Sequence, residues 1–252
     1  MDIVFLTALG VGGATVIGAV VGFAFKNISH KFSDIVLAFA AGVMLAAAVI
    51  GLILPSLDYG GEYGIITTVA GIFTGAVALN LIDKLVPHLH KLSGKEPEEH
   101  RESKHRIEKV MLFVLAIAIH NLPEGIAAGV GFGSGNTGEA LVIAAGIALQ
   151  NIPEGMVIIA PMLSAGIAPK KTFLYAALTG VVEIIGTLIG YFAVSLSTAI
   201  LPFALAFAGG TMLYVISDEM IPETHSHGVE RGATFSLLGG FCLMLLMDVL
   251  LG

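Results

Sequence analysis

The chain contains no tryptophan, a single cysteine and few charges, with Asp, Glu, Lys and Arg making up 12% of its 252 residues. Each shortage excludes something. Cys242 alone cannot close an intramolecular disulfide. Lying in an apolar stretch, it reads as a small buried hydrophobe. A charged share about half that of ordinary soluble proteins leaves too little polar surface to coat a globule in water. Five tyrosines and 14 phenylalanines, without tryptophan, provide only a thin interfacial aromatic belt.

What is present is apolar. AVILMFWYC residues make up 56% of the chain, and mean hydropathy is +0.93. Glycine, commoner in membrane helices than in soluble ones, occurs 32 times. The first run, Ile3 to Phe25, follows Asp2 where a signal peptide has basic residues, and it is too long for a simple signal core. It is expected to be a retained transmembrane helix.

A bilayer core about 30 Å thick takes roughly 20 helical residues to cross. Runs of that size predict eight helices, at about 3–25, 35–56, 65–87, 109–131, 138–163, 171–196, 199–220 and 232–251. The connections DYGGEYG, GSGNTGE and SAGIAPKK are short and rich in turn formers. All 12 Lys and Arg residues fall in or beside the connections after helices 1, 3, 5 and 7. Those after helices 2, 4 and 6 have none. The positive-inside rule then places the basic connections in the cytoplasm and both termini outside it. A miscounted helix would have scattered these charges over both faces. Small-xxx-small pairs at Gly18/Gly22, Gly71/Gly75, Gly125/Gly129 and Gly186/Gly190 favour close helix packing in lipid.

Against this background the polar residues inside the helices stand out. Glu124, Glu154 and Glu183 lie near the centres of helices 4, 5 and 6. Each costs about 2.5–3.5 kcal/mol at mid-bilayer, or about 8–10 kcal/mol together. No Lys or Arg is available at that depth. Protonation neutralises a glutamate one at a time, whereas a bound cation neutralises all three and uses their oxygens as ligands.

The motifs HNLPEG (120–125) and QNIPEG (150–155) carry two of these glutamates. His120 and Glu124 are four residues apart, on one helix face and about 6 Å apart along the axis. Gln150 and Glu154 repeat the arrangement, and Asn121 and Asn151 point about 100° away toward a neighbouring face. Pro123 and Pro153 lack an N–H and free the carbonyls of Ile119 and Leu149. Two such motifs on consecutive, antiparallel helices predict an inverted repeat with a midplane site, three helices lying on either side in a 3+2+3 plan.

Three functions use such a site. A metal-ion transporter needs capture and release with no bond making. An intramembrane zinc hydrolase or protease needs three ligands and an open position for water. That alternative lacks an HExxH motif, three central carboxylates overload a catalytic zinc, and the doubled motif has no purpose in it. A metal-selective channel shares the site, but strong imidazole and carboxylate coordination slows a pore.

The eight-helix plan, the external termini and the paired HNLPEG and QNIPEG motifs resemble the ZIP (Zrt/Irt-like) metal transporters, in particular their bacterial GufA-like branch. The resemblance covers the whole chain. It implies one transporter domain over 1–252 that moves Zn²⁺, or the related Cd²⁺, Mn²⁺ or Fe²⁺, into the cytoplasm through a binuclear site. It further implies a primary position at Met44, His120, Glu124, Gln150 and Glu154, and a second one at Asn121, Asn151, Glu124, Glu154 and Glu183. Gln150 and Asn151 stand where other members have His and Asp, which lowers ligand strength and charge. The family is thought to move helices 1, 4, 5 and 6 against the rest.

The metal is expected as bound substrate, with no catalytic cofactor. The expected partners are divalent metal ions and the lipid bilayer, with a homodimer admitted and nucleic acid excluded. The expected location is the plasma membrane of a prokaryote, the inner one in a Gram-negative cell. Two further clusters invite metal. One is the cytoplasmic loop at 88–108, with His88, His90, His100 and His105; a solvated loop is the simpler account of it. The other, SDEMIPETHSH at the end of helix 7, gathers Asp218, Glu219, Glu223, His225 and His227, either as an exit station or as membrane-surface polarity. Asp248, near the outer end of helix 8, is placed to guide cations inward or simply to sit at the interface.

Overall fold

The computed structural model describes residues 2–25, 29–90 and 101–251, and among them there is no strand. Among the described residues, eight helices are long and apolar enough to cross a membrane. They are α1 (Asp2–Ala24), α2 (His30–Tyr59), α3 (Gly61–Ile82), α4 (Val110–Ser134), α5 (Thr137–Ser164), α6 (Pro169–Leu196), α7 (Thr198–Thr224) and α8 (Glu230–Leu251). The helix of α3 continues to His90 and that of α4 begins at Arg101, so helical structure extends into both ends of the segment 88–108.

α2 and α7 run past the expected ends at 56 and 220. Each contains a wider π segment, Ala47–Ile53 in α2 and Ile216–Met220 in α7. A proline follows each one, Pro55 and Pro222. Proline lacks an N–H and clashes with the carbonyl four residues back; the i→i+5 ladder absorbs both defects without ending the helix. The Leu54 N–H accordingly donates to the Val49 carbonyl. Turns are settled locally. Asn136 caps α5 by accepting from the N–H groups of Gly138 and Glu139, and Gly135 before it takes φ 78°, a value open to glycine.

The helices pair most closely in two groups. In one, α1 packs on α5 and α6, and α4 packs on α6. In the other, α2 packs on α8 and α3 on α7. Glycines explain the division. A methyl group on Gly18 would strike the Ile152 carbonyl, and one on Gly186 would strike that of Leu122. In the second group Gly42 lies against the Leu237 carbonyl and Gly210 against that of Ile72. Within each group, backbone therefore meets backbone. Between the groups, Gly51 meets the side chain of Ile143 and Gly146 that of Met244. That seam is made of flexible aliphatic side chains.

α5 occupies the centre, with 78% of its most apolar window buried against 11% for α8. α3 and α8 turn apolar residues such as Phe73 and Phe235 outward. Cys242 belongs to this outer surface: it is exposed on α8, contrary to the expectation that it is buried.

Candidate metal centre

Each of the two motif helices passes through its internal proline without a break, holding HNLPEG and QNIPEG in the interior. Asn121, Gln150, Asn151 and Glu183 are completely buried, Glu124 is 1% exposed, and His120 and Glu154 are each 7% exposed. Among the described residues, every buried side-chain nitrogen or oxygen without a hydrogen bond belongs to the two motifs. These atoms are His120 Nε2, Asn121 Oδ1, both Glu124 oxygens, both Gln150 amide atoms, Asn151 Oδ1 and Glu154 Oε1. At about 1–3 kcal/mol each, such losses add to the order of the whole stability of a domain. Polar atoms this concentrated call for a polar or charged ligand.

The asparagines are aimed by their amide nitrogens. Asn121 Nδ2 donates to the Thr179 carbonyl on α6 at 3.3 Å, and Asn151 Nδ2 donates to the Val11 carbonyl on α1 at 3.0 Å. Both arrangements leave Oδ1 free. Asn151 Nδ2 also donates to Glu183 Oε1, and Thr15 Oγ1 donates to Glu183 Oε2 at 3.1 Å. Glu183 is thus held by α1 and α5, while the Glu124 oxygens have no donor.

A cavity of about 470 Å³ reaches His120, Glu124 and Glu154 from the end of the bundle where α7 finishes. Asp218, Glu219 and Glu223 line its acidic side, and Leu37, Ile117 and Val157 are among its apolar walls. Glu219 Oε1 lies 2.9 Å from His120 Nε2, at ion-pair distance but without an aligned hydrogen bond. A second cavity of about 380 Å³ enters from the opposite end, where Asp58, Glu139 and Asp248 line it. No motif residue lines this one, and Ile143 and Gly51 stand at its wall. Among the described residues, no three His, Cys, Asp or Glu side chains form a ready-made metal cage. His120, Glu124 and Glu154 instead surround an open space.

The remaining candidates fall elsewhere. Met44 is buried in the apolar core with Val43 and Met212 and lines neither cavity. His225 is engaged at both nitrogens, Nδ1 with the Ile221 carbonyl at 2.9 Å and Nε2 with Thr234 Oγ1 at 3.1 Å. His227 Nδ1 lies 3.1 Å from Asp34 Oδ2, and its ring stacks on His30 at 5.2 Å. His100 and the side chains of His88, His90 and His105 lie outside what the structure describes. Sequence reasoning missed Thr15, Asp34 and the approach of Glu219 to His120. For Asp34 the available signal was its i, i+4 spacing from His30 at the start of α2.

The family model described as ZIP zinc transporter matches residues 87–248. The zinc transporter GufA of Myxococcus xanthus is 39% identical over 98% of this chain and 98% of its own. The zinc transporter ZIPB of Bordetella bronchiseptica is 36% identical over 95% of this chain and 78% of its own length. The human zinc transporter ZIP11 is 32% identical over 95% of this chain and 94% of its own. With its eight apolar helices, the chain belongs to the ZIP zinc transporter family, and it is a multi-pass plasma-membrane transporter of divalent metal ions rather than an enzyme.

Proposed function

We propose that this transporter carries Zn²⁺, with Cd²⁺, Mn²⁺ and Fe²⁺ as chemically related competitors, into the cytoplasm through the site formed by the two motifs. One observation carries the proposal: among the described residues, the hydrogen-bond-free buried polar atoms are confined to HNLPEG and QNIPEG, and a cavity reaches three of the motif residues. Imidazole with carboxylate and amide oxygens suits borderline divalent ions, and the lack of a thiolate favours release. His120, Glu124 and Glu154 are the first ligands, with Gln150 beside them. Asn121, Asn151 and Glu183 supply a second position sharing Glu124 and Glu154. Met44 enters only if α2 shifts relative to α4 and α5.

Orientation follows from charge. The basic connections adjoin the end onto which the 470 Å³ cavity opens, so that end is assigned to the cytoplasm and both termini to the outside. The structure then corresponds to a carrier open inward. Matching contacts, Gly18 on Ile152 with Gly186 on Leu122 and Gly42 on Leu237 with Gly210 on Ile72, support an inverted repeat. The side-chain seam between the helix groups supports sliding of α1, α4, α5 and α6 against the rest. The outward faces of α3 and α8 are assigned to lipid, with a second copy of the chain as the competing occupant.

Uptake of Zn²⁺ into proteoliposomes tests the proposal. Wild-type flux is expected to saturate, and Glu154→Ala to abolish it while membrane insertion persists. Undiminished saturable flux in that variant overturns the site assignment. Flux rising linearly with Zn²⁺ overturns the carrier in favour of a channel.

A further inference from the structure

His120 and Glu219 belong to different helix groups, α4 and α7, and their side chains stand 2.9 Å apart. Glu219 lies in the π segment Ile216–Met220, whose extra residue per turn redirects side chains relative to a regular helix. Both residues line the cavity, and their side chains are 9% and 36% exposed. The other direct polar anchors of the motifs stay within their own group: Asn121 to Thr179, Asn151 to Val11 and Glu183. The approach of His120 to Glu219 is therefore a polar link that crosses the aliphatic seam.

The link is also one-sided. The π segment of α2, AAVIGLI at 47–53, contains no charged residue, and α5 carries Gln150 where α4 carries His120. Among the described residues, no equivalent pair holds the groups together at the opposite face. An imidazole nitrogen serves one partner at a time, either a carboxylate through its proton or a cation through its lone pair. Glu219 and a divalent cation thus compete for His120 Nε2.

We propose that Glu219 is a positioning residue that ties α7 to α4 through His120 and favours the conformer with the 470 Å³ cavity open. A cation arriving at His120 takes the nitrogen and loosens the tie, so occupancy is communicated to the contact between the two helix groups. This rests on His120 being a ligand of the transported ion and on the two groups moving relative to each other. Because the contact is partly exposed and lacks an aligned hydrogen bond, it shifts the conformer ratio by roughly fivefold rather than by orders of magnitude.

The test reads conformation directly, without transport. In a Cys242→Ser background, reconstituted protein carries one reporter: Val215→Cys in the larger cavity or Ile50→Cys in the opposite one. Labelling rates with a membrane-impermeant maleimide are measured in chelator. Glu219→Ala is expected to slow Val215→Cys and speed Ile50→Cys, changing their ratio about fivefold. Glu219→Gln, which keeps the volume, is expected to move the ratio the same way and replaces the alanine variant should that one fail to fold. In a His120→Ala background neither change has further effect. An unchanged ratio, or a Glu219 effect that persists without His120, overturns the proposal. Zn²⁺ added to the wild-type protein is expected to mimic Glu219→Ala. If Zn²⁺ is inert while Glu219→Ala still acts, the site assignment fails and competition fails with it, but the tie stands.

Discussion

Thr15 donates its hydroxyl hydrogen to Glu183 Oε2 at 3.1 Å, from a helix that touches α6 chiefly through bare backbone. A small polar side chain is what this close crossing admits. It supplies one of the two donors that hold the Glu183 carboxylate, Asn151 supplying the other. Thr15→Val keeps the shape and removes the donor. It is expected to destabilise the protein by about 1–3 kcal/mol, the usual cost of removing one partner of a buried hydrogen bond. Thermal unfolding in detergent measures this, and Thr15→Ser should restore most of the loss. Equal Tm values for the valine and serine variants would refute it.

The Glu124 carboxylate has the opposite problem, because neither oxygen has a donor. Glu124→Gln, which keeps the side chain's size and removes its capacity for charge, is expected to keep or raise the Tm in chelator, since an unpaired charge is costly at this depth. The same change should erase the Tm gain from Zn²⁺. At a hundredfold excess over Kd, wild-type protein gains about 2.7 kcal/mol from binding. A variant that is less stable in chelator, or that keeps the full Zn²⁺ gain, contradicts the role given to Glu124.

Two adjacent glycines separate packing from composition. A methyl group on Gly239 has open space around it, whereas one on Gly240 would strike the Phe39 carbonyl across the α2–α8 crossing. Gly239→Ala should be neutral or stabilising by up to about 1 kcal/mol through helix propensity. Gly240→Ala should cost at least the 1–3 kcal/mol typical of overpacking, roughly, because backbone cannot step aside as a side chain can. Unfolding curves of the two variants give the comparison directly.

Gln150 has no hydrogen bond at either amide atom, and it occupies the place in QNIPEG that His120 holds in HNLPEG. Gln150→His adds a stronger ligand for zinc. The expected result is a KM for Zn²⁺ lowered about tenfold, the equivalent of 1.4 kcal/mol, with a reduced maximal rate as release slows. Competition by Mn²⁺ should weaken in parallel. An unchanged KM would indicate that residue 150 does not reach the ion.

The eight spans were legible because two independent constraints, bilayer thickness and the one-sided distribution of Lys and Arg, agree on the count. The motifs were legible because carboxylates at mid-bilayer are costly. The ends of α2 and α7 were not. Pro55 and Pro222 look like terminators in a sequence, and only the π segments before them let the helix continue. Contacts made through tertiary structure left no local trace either. His227 meets Asp34 across 193 residues of chain, and no spacing rule pairs a loop histidine with a residue on α2. Met44 was singled out through resemblance alone, and its place in the apolar core depends on how α2 lies against α5.

The two unequal cavities have an electrical consequence. With the transport orientation proposed above, water reaching Glu154 from the cytoplasmic face carries the cytoplasmic potential to the middle of the protein. Most of the membrane voltage then falls between Glu154 and the wall of the second cavity at Ile143 and Gly51, about 16 Å along α5. A charge crossing the full drop gains about 2.3 kcal/mol per 100 mV, and a divalent ion twice that. An inside-negative voltage therefore acts on the ion between that wall and the proposed site, whose nearest residue, Gln150, lies about 10 Å further along α5.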